Sequence, residues 1–460
     1  MRHRAPRPSS LDTSGALAAP WAHALTRGAP VGSPRERMPS LDAGWFSLLV
    51  VLVCVSVSTV VLRSAAGLDG GQGGLGGTIV AQLCNLFSAS FDLTAAVAVL
   101  SAAFLCFAWC GARVPTGRAA LAIHSLTTTA IFAATVCWVR ASPTAATWPF
   151  MTRLALLMYA TVLTMKLHSF FALVRAHAAP PAPTTAAAQL SQPLDTPLEP
   201  PAGPPAEPPA EPPAEPTSGV SDDGVGWTRI ETPWAACIAL PAIAHFLAAP
   251  TLVFSQEAYK SEAVRVPYVL EKVAMSAGLV LLALNLTNNY IVPTLRDAHT
   301  PLWLAVGEVT PSLIALLHVV FFVTFEGVLN AAAELTHTAD RASYGPYWNA
   351  TSFSAFARDW NRPVHRFLHH HVYAAAGRGK AFSLALTFLI SIAAHEIVIW
   401  AAIGPTYKTP WLALASLCQF PIAPALRLPI FKDTRLGSLA FWTGLSIGSA
   451  LVVTLYARGL

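Results

Sequence analysis

His395 has the setting that most calls for chemistry. It stands in the middle of an apolar run, Phe382 to Ile403, flanked by Leu389, Ile390 and Ile392 on one side and Ile397, Val398 and Ile399 on the other. An ionisable group inside such a run is costly and is a functional hypothesis by default. A neutral imidazole titrates near working pH and can take a proton from an alcohol, whereas a lysine would need a large pKa shift to do so. A buried histidine bonded to a neighbouring helix fits the spacing as well, and spacing alone leaves both readings open. Ser391 lies four residues earlier, on the same helix face, which suggests a polar cavity. Glu396 is adjacent to His395, cannot share its face, and is given a supporting role at most. Lys166 and His168 form a second cluster near the end of another apolar run, where the lysine reads as one that snorkels to the interface.

The segment 330–381 is the other place where chemistry concentrates. Tyr344, Tyr347, Trp348, Phe353, Phe356, Trp360, Phe367 and Tyr373 can bury enough area to argue against disorder. Arg358, Asn361 and His365 have helical spacings, with Pro363 predicting that a helix begins near Asn361. The run His369-His370-His371 reads as no metal site, because consecutive residues do not share a helix face and no acidic or cysteine cluster completes one. Asn349-Ala350-Thr351 fits the acceptor pattern for N-glycosylation.

The elements that must position these residues follow from hydropathy. The chain is 54% hydrophobic and 12% charged, with a mean hydropathy of +0.51, too apolar for an ordinary soluble protein. Runs of about 20 residues fall at 45–62, 93–111, 119–139, 150–174, 268–292, 303–328, 382–403, 411–430 and 436–456. The expectation is an all-α integral membrane protein of about nine spanning helices. The stretch 234–254 is broken by Pro233, Pro241 and Pro250 and reads as buried or re-entrant. Residues 259–272 suit an amphipathic helix at the membrane interface. Cys54, Cys106, Cys110, Cys137, Cys237 and Cys418 lie within apolar runs without CxxC pairs and read as small core residues.

Charge placement supplies topology. Arg2, Arg4, Arg7, Arg27, Arg35 and Arg37 precede the first span and the 64–92 loop is nearly free of basic residues, so the N-terminus is placed in the cytosol. Alternation then puts 112–118, 175–267, 329–381 and 431–435 in the cytosol and the C-terminus in the lumen. The Arg-rich first 40 residues superficially fit a transit peptide, but prolines and glycines interrupt any amphipathic helix. The first span is expected to act as the insertion signal. Four regions result: a cytosolic N-terminal region 1–43; helices 1–4 over 44–176; a Pro/Ala-rich linker 177–226 with three Pro-Pro-Ala-Glu units at 204–215; and 227–460, with the re-entrant segment, helices 5–9 and the catalytic segment. The Gly67–Gly77 stretch has no phosphate-binding pattern, and nothing suggests nucleic-acid recognition.

Phe356-Ala357-Arg358-Asp359-Trp360-Asn361-Arg362-Pro363-Val364-His365-Arg366-Phe367-Leu368, closing with His371-Val372-Tyr373, resembles the central motif of the membrane-bound O-acyltransferases that esterify sterols, in their fungal form. Asn330 to Thr336 with Ala339-Asp340-Arg341 resembles the family's segment just upstream. Ser391-Ile392-Ala393-Ala394-His395-Glu396 resembles its intramembrane His-Glu helix, and Met165 to Phe170 its fourth-span motif. Pro250 to Phe254 with Tyr268-Val269-Leu270-Glu271-Lys272 resembles the region after its linker and leans toward the sterol branch. The resemblance runs in order from about residue 155 onward. One departure stands out: the family's Phe-Tyr-x-Asp-Trp-Trp-Asn signature is here Ser343-Tyr344-Gly345-Pro346-Tyr347-Trp348-Asn349.

The resemblance implies a membrane-bound O-acyltransferase fold and transfer of a long-chain acyl group from acyl-CoA to the 3-hydroxyl of a sterol, ergosterol in a fungal setting. It implies His395 as general base and Asn361 as the group that orients the thioester or its oxyanion. It implies an acyl-CoA site drawn from Tyr344, Trp348, Asn349, Arg358, Trp360, His365, Tyr373 and Ser391. Acyl-CoA is a substrate, no cofactor or metal is called for, and the setting is the endoplasmic reticulum membrane with a homodimer or higher homo-oligomer. Diacylglycerol is the alternative acceptor, with a lysophospholipid or wax alcohol third. The contrasting readings are a catalytically inactive sterol-binding relative and a transporter, though the inverted halves of a transporter are not seen.

Overall fold

The computed structural model describes residues 75–114, 117–178, 218–220, 226–297, 299–426, 428–431 and 434–459. The expected first span, the N-terminal region and most of the linker lie outside the described residues. Seven helices among the described residues are long and apolar enough to cross a membrane. They fall where hydropathy placed them, because a bilayer leaves backbone polar groups no partner except those within a helix. Helix α1 (Leu75–Gly111) carries the apolar stretch Asp92–Gly111, and begins well before the expected 93, inside what read as a lumenal loop. Helices α2 (Arg118–Ala141) and α3 (Phe150–Ala178) pack on it. The stretch after the linker folds as a four-residue helix, Trp234–Cys237, and α4 (Leu240–Ala248), both too short to cross.

Helix α5 (Val266–Leu286) continues through a π turn to Arg296, and α6 (Leu302–Phe322) through another to Leu335. Two short helices follow, α7 (Phe353–Trp360) and α8 (Arg362–Leu368), then α9 (Lys380–Ile403) with His395. The run 411–430 is not one helix. It forms α10 (Trp411–Leu417) and α11 (Gln419–Ala425), since Pro421 and Pro424 withhold the N–H groups a continuous helix needs. It still leads from one end of the bundle toward the other. Leu412 N donates to Tyr456 Oη, 2.8 Å, at the end of α12 (Arg435–Ala457), while α12 starts beside the aromatic segment, with Phe441 against Phe353.

Two ends of the bundle are thereby defined. One gathers Gly111, Ala178, Val266, the 336–379 segment and Arg435. The other gathers Ala141, Phe150, Arg296, Ile403 and Ala457. A small sheet accompanies the helices. Strands β1 (Ser218–Val220), β2 (Gly226–Glu231) and β3 (Glu257–Ser261) form an antiparallel sheet in that order, with Thr228 opposite Lys260 and Arg229 opposite Tyr259. Residues 257–261 are therefore strand, not the start of an interfacial helix, and the helix that begins at Val266 is the spanning α5. Trp227 and Tyr259 pack edge to face across β2 and β3, and Arg229 pairs with Glu257 at 2.6 Å. The cysteines correct another expectation: Cys106, Cys110, Cys137 and Cys418 are exposed and only Cys237 is buried among those described. A thiol facing lipid loses nothing, because its surroundings are as apolar as a core.

Candidate active site

The aromatic segment is clasped to itself before it is clasped to the bundle. Gly345 N donates to Asp359 O at 2.6 Å and Arg362 N to Ser343 O at 2.9 Å, so the 343–349 stretch lies against the junction of α7 and α8. Arg362 and Asp359 form an ion pair, 3.2 Å, directly over Gly345, where a Cβ would collide with both. Arg366 reaches Asp340 at 2.9 Å. Trp360 then wedges into the core, its ring 4.5 Å from Phe321, 4.8 Å from Tyr347 and stacked on Phe356 at 5.1 Å. Tyr344 belongs to the same cluster, and its hydroxyl donates to Glu326 Oε1 at 2.6 Å. Glu326 also accepts from Asn330, 3.1 Å, and lies 3.5 Å from buried Lys272. One turn on, buried Glu334 holds Arg265 at 2.9 Å and Arg341 at 2.6 Å, tying the start of α5 to the segment.

Asn361 breaks the helix as Pro363 predicts. Its Oδ1 accepts from Val364 N, 3.1 Å, and caps α8, a bond in which its Nδ2 takes no part. Arg358 has a 61% exposed side chain, with Asp359 at 3.7 Å its recorded partner. Trp348 and Asn349 are exposed in a short turn. Burial, with His369 and Arg358 close by, holds His365 below the usual histidine range, so it is neutral at neutral pH. Tyr373 stacks on His369 at 5.5 Å.

His395 supplies the most informative geometry. Its Nδ1 lies 2.7 Å from Ser391 O. A carbonyl oxygen only accepts, so Nδ1 carries the proton; in the neutral ring the lone pair is then on Nε2, the tautomer a general base needs. His395 is exposed along α9, while its neighbour Glu396 is consumed by structure. Tyr407 Oη and Tyr456 Oη each donate to Glu396 Oε1 at 2.7 Å, and Ala413 N to Oε2 at 2.6 Å. Neighbouring residues project about 100° apart on a helix, so this lock on Glu396 fixes which way His395 faces. No hydrogen bond or ring contact joins His395 to Asn361, Arg358 or His365; they stand on separate elements.

Two features escaped the sequence. Lys166 does not snorkel: it is buried, and Nζ donates to Phe246 O and Ala249 O, both at 2.6 Å, pinning the end of α4. Three residues on, Ser169 Oγ accepts from Phe254 N at 2.8 Å and lies 3.1 Å from His371 Nε2, so one face of α3 holds both the post-linker stretch and the aromatic segment. His318 on α6 is the other. Its Nδ1 lies 2.8 Å from Ile314 O, and its ring faces Tyr347, Trp360 and Trp442 at 6.0, 6.5 and 6.3 Å. A single histidine without a polar neighbour four residues away gave no signal.

Residues 244–457 match the family model of MBOAT, the membrane-bound O-acyltransferase family. That region is similar to the membrane-bound O-acyltransferases. It contains Asn361, the aromatic segment and His395. The chain also aligns in part with curated relatives. Sterol O-acyltransferase 2 of Candida albicans is 33% identical over 223 residues, 45% of this chain and 36% of that protein. Probable sterol O-acyltransferase 1 of Schizosaccharomyces pombe is 33% identical over 224 residues, 46% of this chain and 41% of that protein. Diacylglycerol O-acyltransferase 1 of Dictyostelium discoideum is 30% identical over 224 residues, 46% of this chain and 36% of that protein. The aligned part thus spans less than half of each of these relatives.

Proposed function

We propose that the chain transfers a long-chain acyl group from acyl-CoA to the 3-hydroxyl of a sterol, giving a sterol ester. The observation that carries this reading is the base-competent tautomer of His395 within the region that matches the acyltransferase family model. His395 Nε2 takes the hydroxyl proton as the sterol oxygen bonds to the thioester carbon. Asn361 Nδ2 donates to the developing oxyanion, a contribution of roughly 3–4 kcal/mol at comparable sites. The C–S bond then breaks, and the imidazolium returns the proton to the CoA sulfur. Direct attack needs no acyl-enzyme, and no paired serine or cysteine nucleophile is called on.

Arg358 and the neighbouring exposed Trp348 and Asn349 suit the CoA entrance, where a guanidinium meets phosphates. Tyr344 and Trp360 act as its wall, His365 and Tyr373 as its floor, and Ser391 lines the approach to His395. CoA arrives from the cytosolic face and sterol from the bilayer, in the endoplasmic reticulum membrane, with the N-terminus cytosolic, the C-terminus lumenal and the chain in a homo-oligomer. The Dictyostelium relative favours a second reading, diacylglycerol as acceptor. Microsomes from cells lacking their own acyltransferases, supplied with labelled oleoyl-CoA and either acceptor, test both. Label in sterol ester is expected. Label only in triacylglycerol moves the chain to the second reading, and label in neither, with the protein folded, marks an inactive relative.

A further inference from the structure

The bundle end opposite the 336–379 segment carries two arginines that no carboxylate meets. Arg140 stands in the last turn of α2 and Arg153 in the first turn of α3. Both reach the end of α9: a Cβ placed on Gly404 would meet Arg153 Nη1 at 3.3 Å and Arg140 Nη1 at 3.7 Å. Two guanidiniums so close repel each other unless an anion joins them. Among the described residues neither forms an ion pair. Asp92, at this same end, accepts instead from Trp148 Nε1 at 3.4 Å. Arg153 Nε is buried without a hydrogen-bond partner, and Arg140 lies over the Trp400 ring at 4.5 Å with its outer side exposed.

What lies beside them is apolar. Val136, Val139, Leu156, Val398 and Ala401 form the seam between α2, α3 and α9. Trp138, Phe150 and Met151, at the same ends of α2 and α3, are 40%, 37% and 50% exposed. Aromatic side chains and arginines at a helix end mark the level of lipid headgroups. A guanidinium pair matches the geometry of a phosphate, and the exposed Trp138, Phe150 and Met151 offer apolar surface to an acyl chain. The geometry points to a binding site for the phosphate of an anionic glycerophospholipid, built by Arg140 and Arg153 and independent of the acyl-transfer reading. The competing role, in which both arginines only complement the C-terminal dipole of α9, requires no ligand.

The full chain, purified in mild detergent, is titrated with dioctanoyl phosphatidic acid and followed by native mass spectrometry. One lipid per chain is expected, bound in preference to dioctanoyl phosphatidylcholine and dioctanoylglycerol. The double variant Arg140→Gln/Arg153→Gln weakens it at least tenfold, and Arg140→Lys/Arg153→Lys, which keeps both charges, retains most of it. If the double glutamine variant does not fold, Arg140→Gln alone, at an exposed position, is expected to weaken binding several-fold. Equal binding by the glutamine variants, or by dioctanoylglycerol, overturns the site. Displacement by inorganic phosphate at matching concentration also overturns it, in favour of a free-phosphate site.

Discussion

Residues 340–368 and helix α9 hold the two halves of the proposed chemistry and are built in opposite ways. In the first, the central polar groups are consumed: Asp359 by Arg362, Asp340 by Arg366, Tyr344 by Glu326, and the Asn361 side-chain carbonyl by its own helix. Aromatic rings fill what remains. In α9, one position is saturated and its neighbour is open, with Glu396 accepting three hydrogen bonds while His395 Nε2 has none among the described residues. A packed segment can set the shape of a chamber but offers few groups for reaction, whereas a locked helix can hold one reactive group in place. Residues of the same apparent kind in the sequence thus divide into wall and contact according to whether their polar atoms are already spent.

The largest expected effect lies on the open side. His395→Ala should lower turnover by about 10²–10⁴-fold with little change in melting temperature, since its recorded bond is to a carbonyl of its own helix. Activity per folded molecule, measured beside thermal unfolding in detergent, reads this. Full activity in the folded variant would sink the mechanism. Trp360→Ala should invert the pattern, with a stability loss of roughly 3–5 kcal/mol, because its ring contacts Phe321, Tyr347 and Phe356. A variant that stays as stable as the parent would show that Trp360 is no wall.

Glu396→Gln tests the lock itself. The amide cannot accept as the carboxylate does from Tyr407, Tyr456 and Ala413, and stranding such groups costs about 1–3 kcal/mol. The expected result is a lower melting temperature together with a smaller loss of turnover than His395→Ala, rescued in part by Glu396→Asp. Arg358→Ala should raise the apparent KM for acyl-CoA about tenfold, the loss of one charge-assisted contact, and leave kcat and stability nearly unchanged. An unchanged KM removes Arg358 from the CoA entrance.

The spanning helices were legible because a run of apolar residues is a nearly sufficient statement in a bilayer. The break in the run at 411–430 was less so, although Pro421 and Pro424 carried the signal. The strand at 257–261 could not be read: five residues are too few for a period, and its partner lies toward the far end of the proline-rich linker. Lys166 was misread for a related reason. Snorkelling is the common fate of a lysine near a helix end, and only the carbonyls of Phe246 and Ala249, eighty residues away in sequence, make burial tolerable. For the candidate site, motif residues gave the resemblance, but which of them are spent depended on partners such as Glu326 and Asp359.

The smallest effect concerns the histidines that close the packed segment. Burial, with His168 and His370 nearby, pushes His371 down to about 3, and burial pushes His370 down to about 4. Both are therefore neutral in the folded chain at working pH, whereas an unfolded histidine titrates near 6.5. Below that value the unfolded chain binds more protons than the folded one, so stability is present in full above about 6.5 and is lost as pH falls toward the folded values. His371 alone should account for about 1 kcal/mol between pH 7.5 and 6. The folded protein resists because a proton on His371 would sit against Ser169 and the rings of His168 and Phe367. Melting temperature recorded across that interval should fall in the parent and fall less in His371→Asn, which keeps a polar group near Ser169 without a titrating nitrogen. Equal slopes in parent and variant would mean that the junction between α3 and the aromatic segment does not depend on a neutral His371.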